Sequence, residues 1–369
     1  TDIPIIAYQF NPVDGASSYL SDASMLIPVA SLALTYDVVG WKQSCNSSGP
    51  FGECDGDMRA YFTVVATADG TQVTVEPSVA PLAGGVVPGT GQPFNVTMND
   101  GDVLEVQTNA AYDSMTGSRI TANDGHPIAV FSGQECAFIP FEVYACDHLE
   151  EQMPGLRFWG KEFVAARMPV RSTVDTSDKV LWQIYASEPD TVVTLSASAG
   201  VQGLPWTQMT FAQGQLVEIG IWGNSAQPGD FFIEADKPIA VMQYMIGSTN
   251  ENCNGIGDPA MVYNSPTEQF LPRYVVLVPG TWIYDTLVVT RRAGSDVLLD
   301  GATIPGSNFI DVAGSGYEVA RLPVDDGIHT LESTEPENGL AVIVVGYDSY
   351  DSYAYAGGMG MGAINPVVE

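Results

Sequence analysis

Three short acidic turns are the parts of this sequence best suited to chemistry. Asp55-Gly56-Asp57, Asn99-Asp100-Gly101-Asp102 and the run from Asn252 through Asn254 to Asp258 each gather side-chain oxygens beside glycine. Calcium accepts hard oxygen donors of this kind in flexible geometry. Asp55, Asp57, Asp100, Asp102 and Asp258 are therefore the candidate ligands, and calcium is the candidate cofactor. None of the three turns has the twelve-residue spacing of an EF-hand loop, and ordinary Asx turns draw on the same residues. The cysteines point to pairing rather than to metal. Cys45 and Cys54 bracket one turn-rich loop and Cys136 and Cys146 bracket another, neither with CxxC spacing. Two local disulfides are expected, with Cys253 left over, and an oxidising compartment follows from them.

Catalytic constellations are thin. His126, His148 and His329 are the only histidines, and none accompanies a GxSxG nucleophile elbow. No phosphate-cradling GxxxxGK(S/T) loop occurs, and the Gly357–Gly362 run follows aromatic residues near the end of the chain. With 44 acidic residues, the paired carboxylates of a glycoside hydrolase can arise by accident, Glu150 and Glu151 among them. Tyr347, Tyr350, Tyr353 and Tyr355 offer either a stacking surface for a ligand or a means of pinning the tail to the core. Catalysis is not expected.

The elements that must hold these groups are strands. Of 369 residues, 45% are apolar, enough for a sizeable core, and only 15% are charged. Acids outnumber Lys plus Arg by 44 to 13, and the net charge of −31 excludes nucleic acid and anionic lipid as electrostatic partners. Lysine is confined to Lys42, Lys161, Lys179 and Lys237. Thr, Ser, Val, Gly and Tyr fill the rest, the composition of strands and turns. The longest apolar runs, such as Leu340 to Val345, are too short for membrane insertion. Asp147 to Gln152 is the best helix candidate, one or two turns at most.

Internal repetition organises the whole chain. A strand pattern, Pro-Ile-Ala-Val in its clearest copies, begins at positions 4, 127, 238 and 339. In step with it come three hairpin-like units with turns at Asp69-Gly70, Pro189-Asp190 and Ala293-Gly294, and three strands led by Gly101, Gly214 and Gly316. A period of roughly 100 to 120 residues suits one β-sandwich per repeat. The expected fold is all-β: three consecutive diverged sandwich-like repeats, packed compactly. Repeat one covers 13–137, repeat two 138–248, and repeat three 249–369 with a C-terminal tail. Residues 1–12 are a displaced strand, expected to complete a sheet edge or to pack with the other terminal segment, since a strand is not stable alone.

Several segments in order resemble the N-terminal domain of the IgGFc-binding protein family. They are Gln9-Phe10-Asn11-Pro12 with Ser21-Asp22-Ala23-Ser24-Met25-Leu26-Ile27-Pro28, then Gly133-Gln134-Glu135-Cys136 with Cys146-Asp147-His148-Leu149-Glu150-Glu151-Gln152-Met153-Pro154. Gly257-Asp258-Pro259-Ala260-Met261 with Pro266-Thr267-Glu268-Gln269-Phe270-Leu271-Pro272 completes the set. The resemblance implies a secreted or cell-surface module within a larger chain, and the acidic, lysine-poor composition leans toward the bacterial surface-protein branch. No binding motif transfers residue by residue. The function expected is extracellular binding or adhesion, toward a protein or glycan ligand and alongside other domains of the parent chain. A structural spacer is the alternative, followed by a carbohydrate-active hydrolase. An adhesin should expose an apolar patch or concave site, whereas a spacer should be uniformly polar.

Overall fold

The structure, a computed structural model, describes residues 5–11, 20–44, 58–141, 143–171, 178–224, 226–249, 253–280 and 282–365. Its elements are β-strands and four single 3-10 turns. Among the described residues no helix is long and apolar enough to cross a membrane. The sequence dictates strands through alternation. In Ala60–Ala66 every second residue is buried, and Thr71–Glu76 repeats the pattern, so each strand turns one face to the core and the other outward.

One strand order occurs three times. In the first unit Asp147–Gln152, Ile128–Ala137, Ala60–Ala66 and Val103–Gln107 form one sheet, and Thr35–Asp37, Arg119–Ala122, Thr71–Glu76 and Phe94–Met98 form the other. The third unit repeats this with Asp351–Ala356, Ala341–Asp348, Tyr284–Arg292 and Tyr317–Pro323, with Phe309–Val312 added at the end. Its other sheet is Arg273–Val278, Gly327–Ser333, Val297–Leu299 and Ala302–Thr303. In the second unit the long strand Phe231–Met245 serves both sheets. Its first part pairs with Gly160–Ala165 and Thr191–Ala197, and its last part with Val180–Ala186 and Met261–Tyr263. The fold is all-β with sandwich-like packing.

Two local expectations are corrected. The turns at Asp69-Gly70, Pro189-Asp190 and Ala293-Gly294 do not make hairpins. Ala60–Ala66 and Thr71–Glu76 lie in different sheets, as do Tyr284–Arg292 and Val297–Leu299, and Val180–Ala186 does not pair with Thr191–Ala197. Each turn carries the chain across the sandwich. The helix candidate at Asp147 to Gln152 is a strand, antiparallel to Ile128–Ala137. Tertiary pairing overrides a weak local preference here, because this segment covers the open edge of the first sheet.

That covering strand has counterparts. Each Pro-Ile-Ala-Val strand, here the closing strand, pairs antiparallel with a return strand that follows it. The pairs are Ala7–Asn11 with Asp22–Leu26, Ile128–Ala137 with Asp147–Gln152, Phe231–Met245 with Met261–Tyr263, and Ala341–Asp348 with Asp351–Ala356. The second and third return strands fall beyond positions 137 and 248, on the far side of the expected repeat limits. The four return strands pack in a closed circuit: the first touches the second and fourth, and the third touches the same two. Side chains stitch the circuit together. The Glu150 and Met261 amides donate to Asp22 Oδ2 at 3.1 and 3.2 Å, and the Gln152 amide donates to Ser24 Oγ at 2.8 Å.

The N-terminal strand forms a two-stranded ribbon with Asp22–Leu26 and packs against the other terminal segment. Phe10 meets Tyr353 and Tyr355 edge-on, and the Tyr8 hydroxyl reaches Gly357 O and Val275 O at 2.8 and 2.9 Å. Cores are shared between units. Tyr185, Met242 and Tyr244 of the second unit join the first core, while Val288, Val319 and Val345 of the third join the second.

Candidate functional site

An open apolar groove lies beside the N-terminal strand. Ile5, Ile6, Ala7, Tyr8 and Phe10 form one wall, Val275, Val276 and Leu277 the other, and Ile328 the rim, around about 700 Å³. Ile5 and Ile328 are 63% and 70% exposed, high values for large aliphatic side chains on one concave surface. The fold explains the site. Ala7–Asn11 is the outer strand of its ribbon and Arg273–Val278 the outer strand of its sheet, so each presents an edge with no strand partner among the described residues. Tyr8 spans the gap through its hydroxyl. The lining carries no charged side chain.

The acidic residues sort into two classes. Asp100 and Asp102 sit in an exposed turn, where the Asn99 amide donates to Asp102 Oδ2 at 2.7 Å and the Asp100 amide to Asp69 Oδ1 at 3.1 Å. Asp102 thus accepts from its own turn, and Asp69 ties that turn to the crossing turn beside it. Asp55 and Asp57 lie outside the described residues, as do Cys45, Cys54 and Asn252. Asp258 is fully buried, and neither carboxylate oxygen has a hydrogen-bond partner of ordinary geometry. Burial raises its pKa to about 7, although the Arg171 charge and the Ser248 amide dipole pull the other way. It lies in the hub made by the return strands, with Asp22, Asp147, Glu150, Glu151 and Asp351. Desolvation holds Asp22, Asp147 and Glu151 well above the usual carboxylate range, and neighbouring acids add to it.

A family model described as IgGFc binding protein matches residues 22–346. The chain belongs to the IgGFc-binding protein family. No curated protein matches it. The family match takes in the groove wall at Val275–Leu277 and Ile328 but not Ile5 to Phe10, and it takes in Asp22, Asp147 and Asp258 but not Asp351.

The remaining sequence candidates of this IgGFc-binding family member have structural partners. Cys136 and Cys146 form a disulfide, and Cys253 is a buried thiol with Sγ 3.7 Å from Asp178 Oδ1. His126 meets Thr71, His148 meets Tyr61, and His329 lies between Asp300 and the Asp325 carbonyl. Tyr353 and Tyr355 are fully buried against the N-terminal strand, the pinning role, and Tyr347 donates to Pro169 O at 2.9 Å. A polar cleft of about 260 Å³ brings Asp37 and Glu76 together, but Asp37 is engaged by Arg119 at 2.7 and 2.9 Å and by the Tyr185 hydroxyl. Sequence reasoning missed Asp22, Asp147 and Asp351 as partners of Asp258. The signal was present, because an Asp stands at or just before every return strand. The groove left no such signal, since its walls lie over 250 positions apart.

Proposed function

We propose that this chain is the extracellular protein-binding segment of a larger surface or secreted protein, and that it is not an enzyme. The apolar groove carries the reading. A contiguous set of exposed Ile and Leu around a concavity of this size is unusual on a surface with no partner. The spacer alternative calls for a uniformly polar exterior, which Ile5, Ile6, Leu277 and Ile328 disfavour. A protein ligand fits better than a glycan, because sugar hydroxyls need carboxylates, amides or stacked rings and the lining is mostly aliphatic. An extended apolar segment of the partner would lie along the two strand edges, adding backbone hydrogen bonds to side-chain burial. Localisation outside the cell is supported by family membership and by the Cys136–Cys146 disulfide.

The test is a binding panel of immunoglobulin Fc, other secreted proteins and a glycan array, run on the whole chain and on Ile6→Asp and Ile328→Asp. Both side chains are exposed, so both variants should keep the parent melting temperature. A protein hit weakened at least about tenfold by either variant is the expected result, since each places a charge against buried apolar surface. A protein hit indifferent to both variants, or hits on glycans alone, would sink the groove as the binding site.

A further inference from the structure

The return-strand hub has a chemical peculiarity that packing does not explain. Closing strand, connection and return strand recur four times, and in three of them the return segment opens at the equivalent place with an Asp, Asp147, Asp258 and Asp351, while Asp22 of the first pair stands two positions further along. Because the four return strands close into one circuit, the repetition delivers the same residue type to one end of the hub. Contacts bind that end together. Ser21 donates from its amide to Asp147 Oδ1 and from its hydroxyl to Asp351 Oδ1, and also to Ser352 O at 2.7 Å. The Asp258 amide donates to Ser352 Oγ at 3.2 Å, and that hydroxyl donates to Asp258 O at 2.7 Å. Like charges gathered together repel, and each buried carboxylate loses several kcal/mol of hydration.

Oxygen atoms are left over at this end. Asp147 Oδ2, both Asp258 oxygens and Ser248 Oγ are buried without a hydrogen bond of ordinary geometry, in side chains that are fully buried, and the Ser248 amide is the one dipole turned toward Asp258. Arg171 is the cation whose charge bears on Asp258, and it is engaged by Asp178 at 2.9 Å. The donors are all hard oxygens: carboxylate, hydroxyl and neighbouring main-chain carbonyl. Such a set selects calcium over the nitrogen- and sulfur-seeking metals. No three described His, Cys, Asp or Glu side chains converge as a metal-holding group, so an ion held here would need neutral oxygens beside the Asp258 and Asp147 carboxylates.

We infer that Asp258 and Asp147, with Ser248 and main-chain oxygens of the hub, hold one calcium-class divalent cation that ties the return strands of the repeats together. The ion would add positive charge to the hub. This differs in kind from a surface loop site, because the ion would be enclosed and shared between repeats.

The test uses the full chain after dialysis against a chelator. Calorimetric titration with calcium chloride is run on the parent, on Asp258→Asn and on Asp102→Asn in the exposed turn, with melting temperatures recorded with calcium, with magnesium and with chelator. The expected result is one calcium per chain and a rise of about 3–8 °C in melting temperature at saturating calcium. Asp258→Asn should fold, by circular dichroism, yet bind at least about tenfold more weakly, while Asp102→Asn binds as the parent does. Absence of both binding heat and a melting shift in the parent would overturn the inference. So would binding lost in Asp102→Asn and kept in Asp258→Asn. Stability that rises on acidification and ignores divalent ions would overturn it too, since protons would then neutralise the hub.

Discussion

Tyr353 shows how single residues in this fold serve two neighbours. Its ring lies over Gly346, where an added Cβ would stand 2.0 Å from Cε1, and its hydroxyl donates to Asp285 Oδ1 at 2.6 Å. Asp285 and Gly346 are cross-strand partners, so the glycine is what lets the ring reach the acid. Burial raises the Asp285 pKa to about 6, against the opposing hydrogen bond from Tyr353. The folded chain therefore keeps this proton at pH values where the unfolded chain has released it, and the group's contribution to stability falls as pH rises from about 4 to about 6. Asp285→Asn retains an acceptor for Tyr353 and removes the charge. It should gain stability over the parent by about 1–2 kcal/mol at pH 7 and by almost nothing at pH 4. Urea midpoints of both proteins at the two pH values check this, and a gap independent of pH would contradict it.

Elements are where sequence and structure diverge most instructively. The three crossing turns share a left-handed residue at one place, Gly70 at φ 73°, Asp190 at φ 56° and Gly294 at φ 79°. No atom lies within 4 Å of a Cβ added at Gly70 or Gly294, so substitution there meets backbone strain alone. Gly294→Val should destabilise by about 1–2 kcal/mol, whereas Asp190→Gly should be neutral or slightly stabilising. Chemical denaturation of both variants measures it, and equal effects of the two would refute the shared geometry. Most of the strands and their recurrence along the chain were legible, because period-two alternation and turn residues are local signals. Which strands lie side by side was not. Alternation in Thr71–Glu76 reports which face is buried, and that face is buried whether the neighbour is Ala60–Ala66 or Arg119–Ala122. Asp147–Gln152 was misread for a related reason: its Glu-Glu-Gln composition reads as solvated helix, whereas the hub encloses all three. For the same reason Asp258 was singled out as a loop ligand, and its position on the hub followed only from the pairing of strands.

At the scale of the molecule, the units are joined by ions as well as by shared cores. Arg321 of the third unit donates to Asp230 Oδ2 at 3.1 Å and to Arg167 O at 2.7 Å, and Arg167 and Arg171 flank buried Asp178. Opposite charge keeps the Asp178 carboxylate below its usual range despite burial. Arg321→Ala leaves buried Asp230 without its counter-charge, with the Arg167 amide at 2.7 Å still donating to it, and should cost about 3 kcal/mol. Because the cores interpenetrate, calorimetry should show one cooperative transition for both parent and variant, and two resolved transitions would show that the units unfold separately. The closed circuit of return strands has a geometric consequence. The first pair nests against the last, and Tyr8 touches Gly357 across nearly the full length of the chain. The path from Tyr8 to Gly357 is a loop drawn almost shut, so detaching the first strand pair would also strip the cover from the rings of Tyr353 and Tyr355.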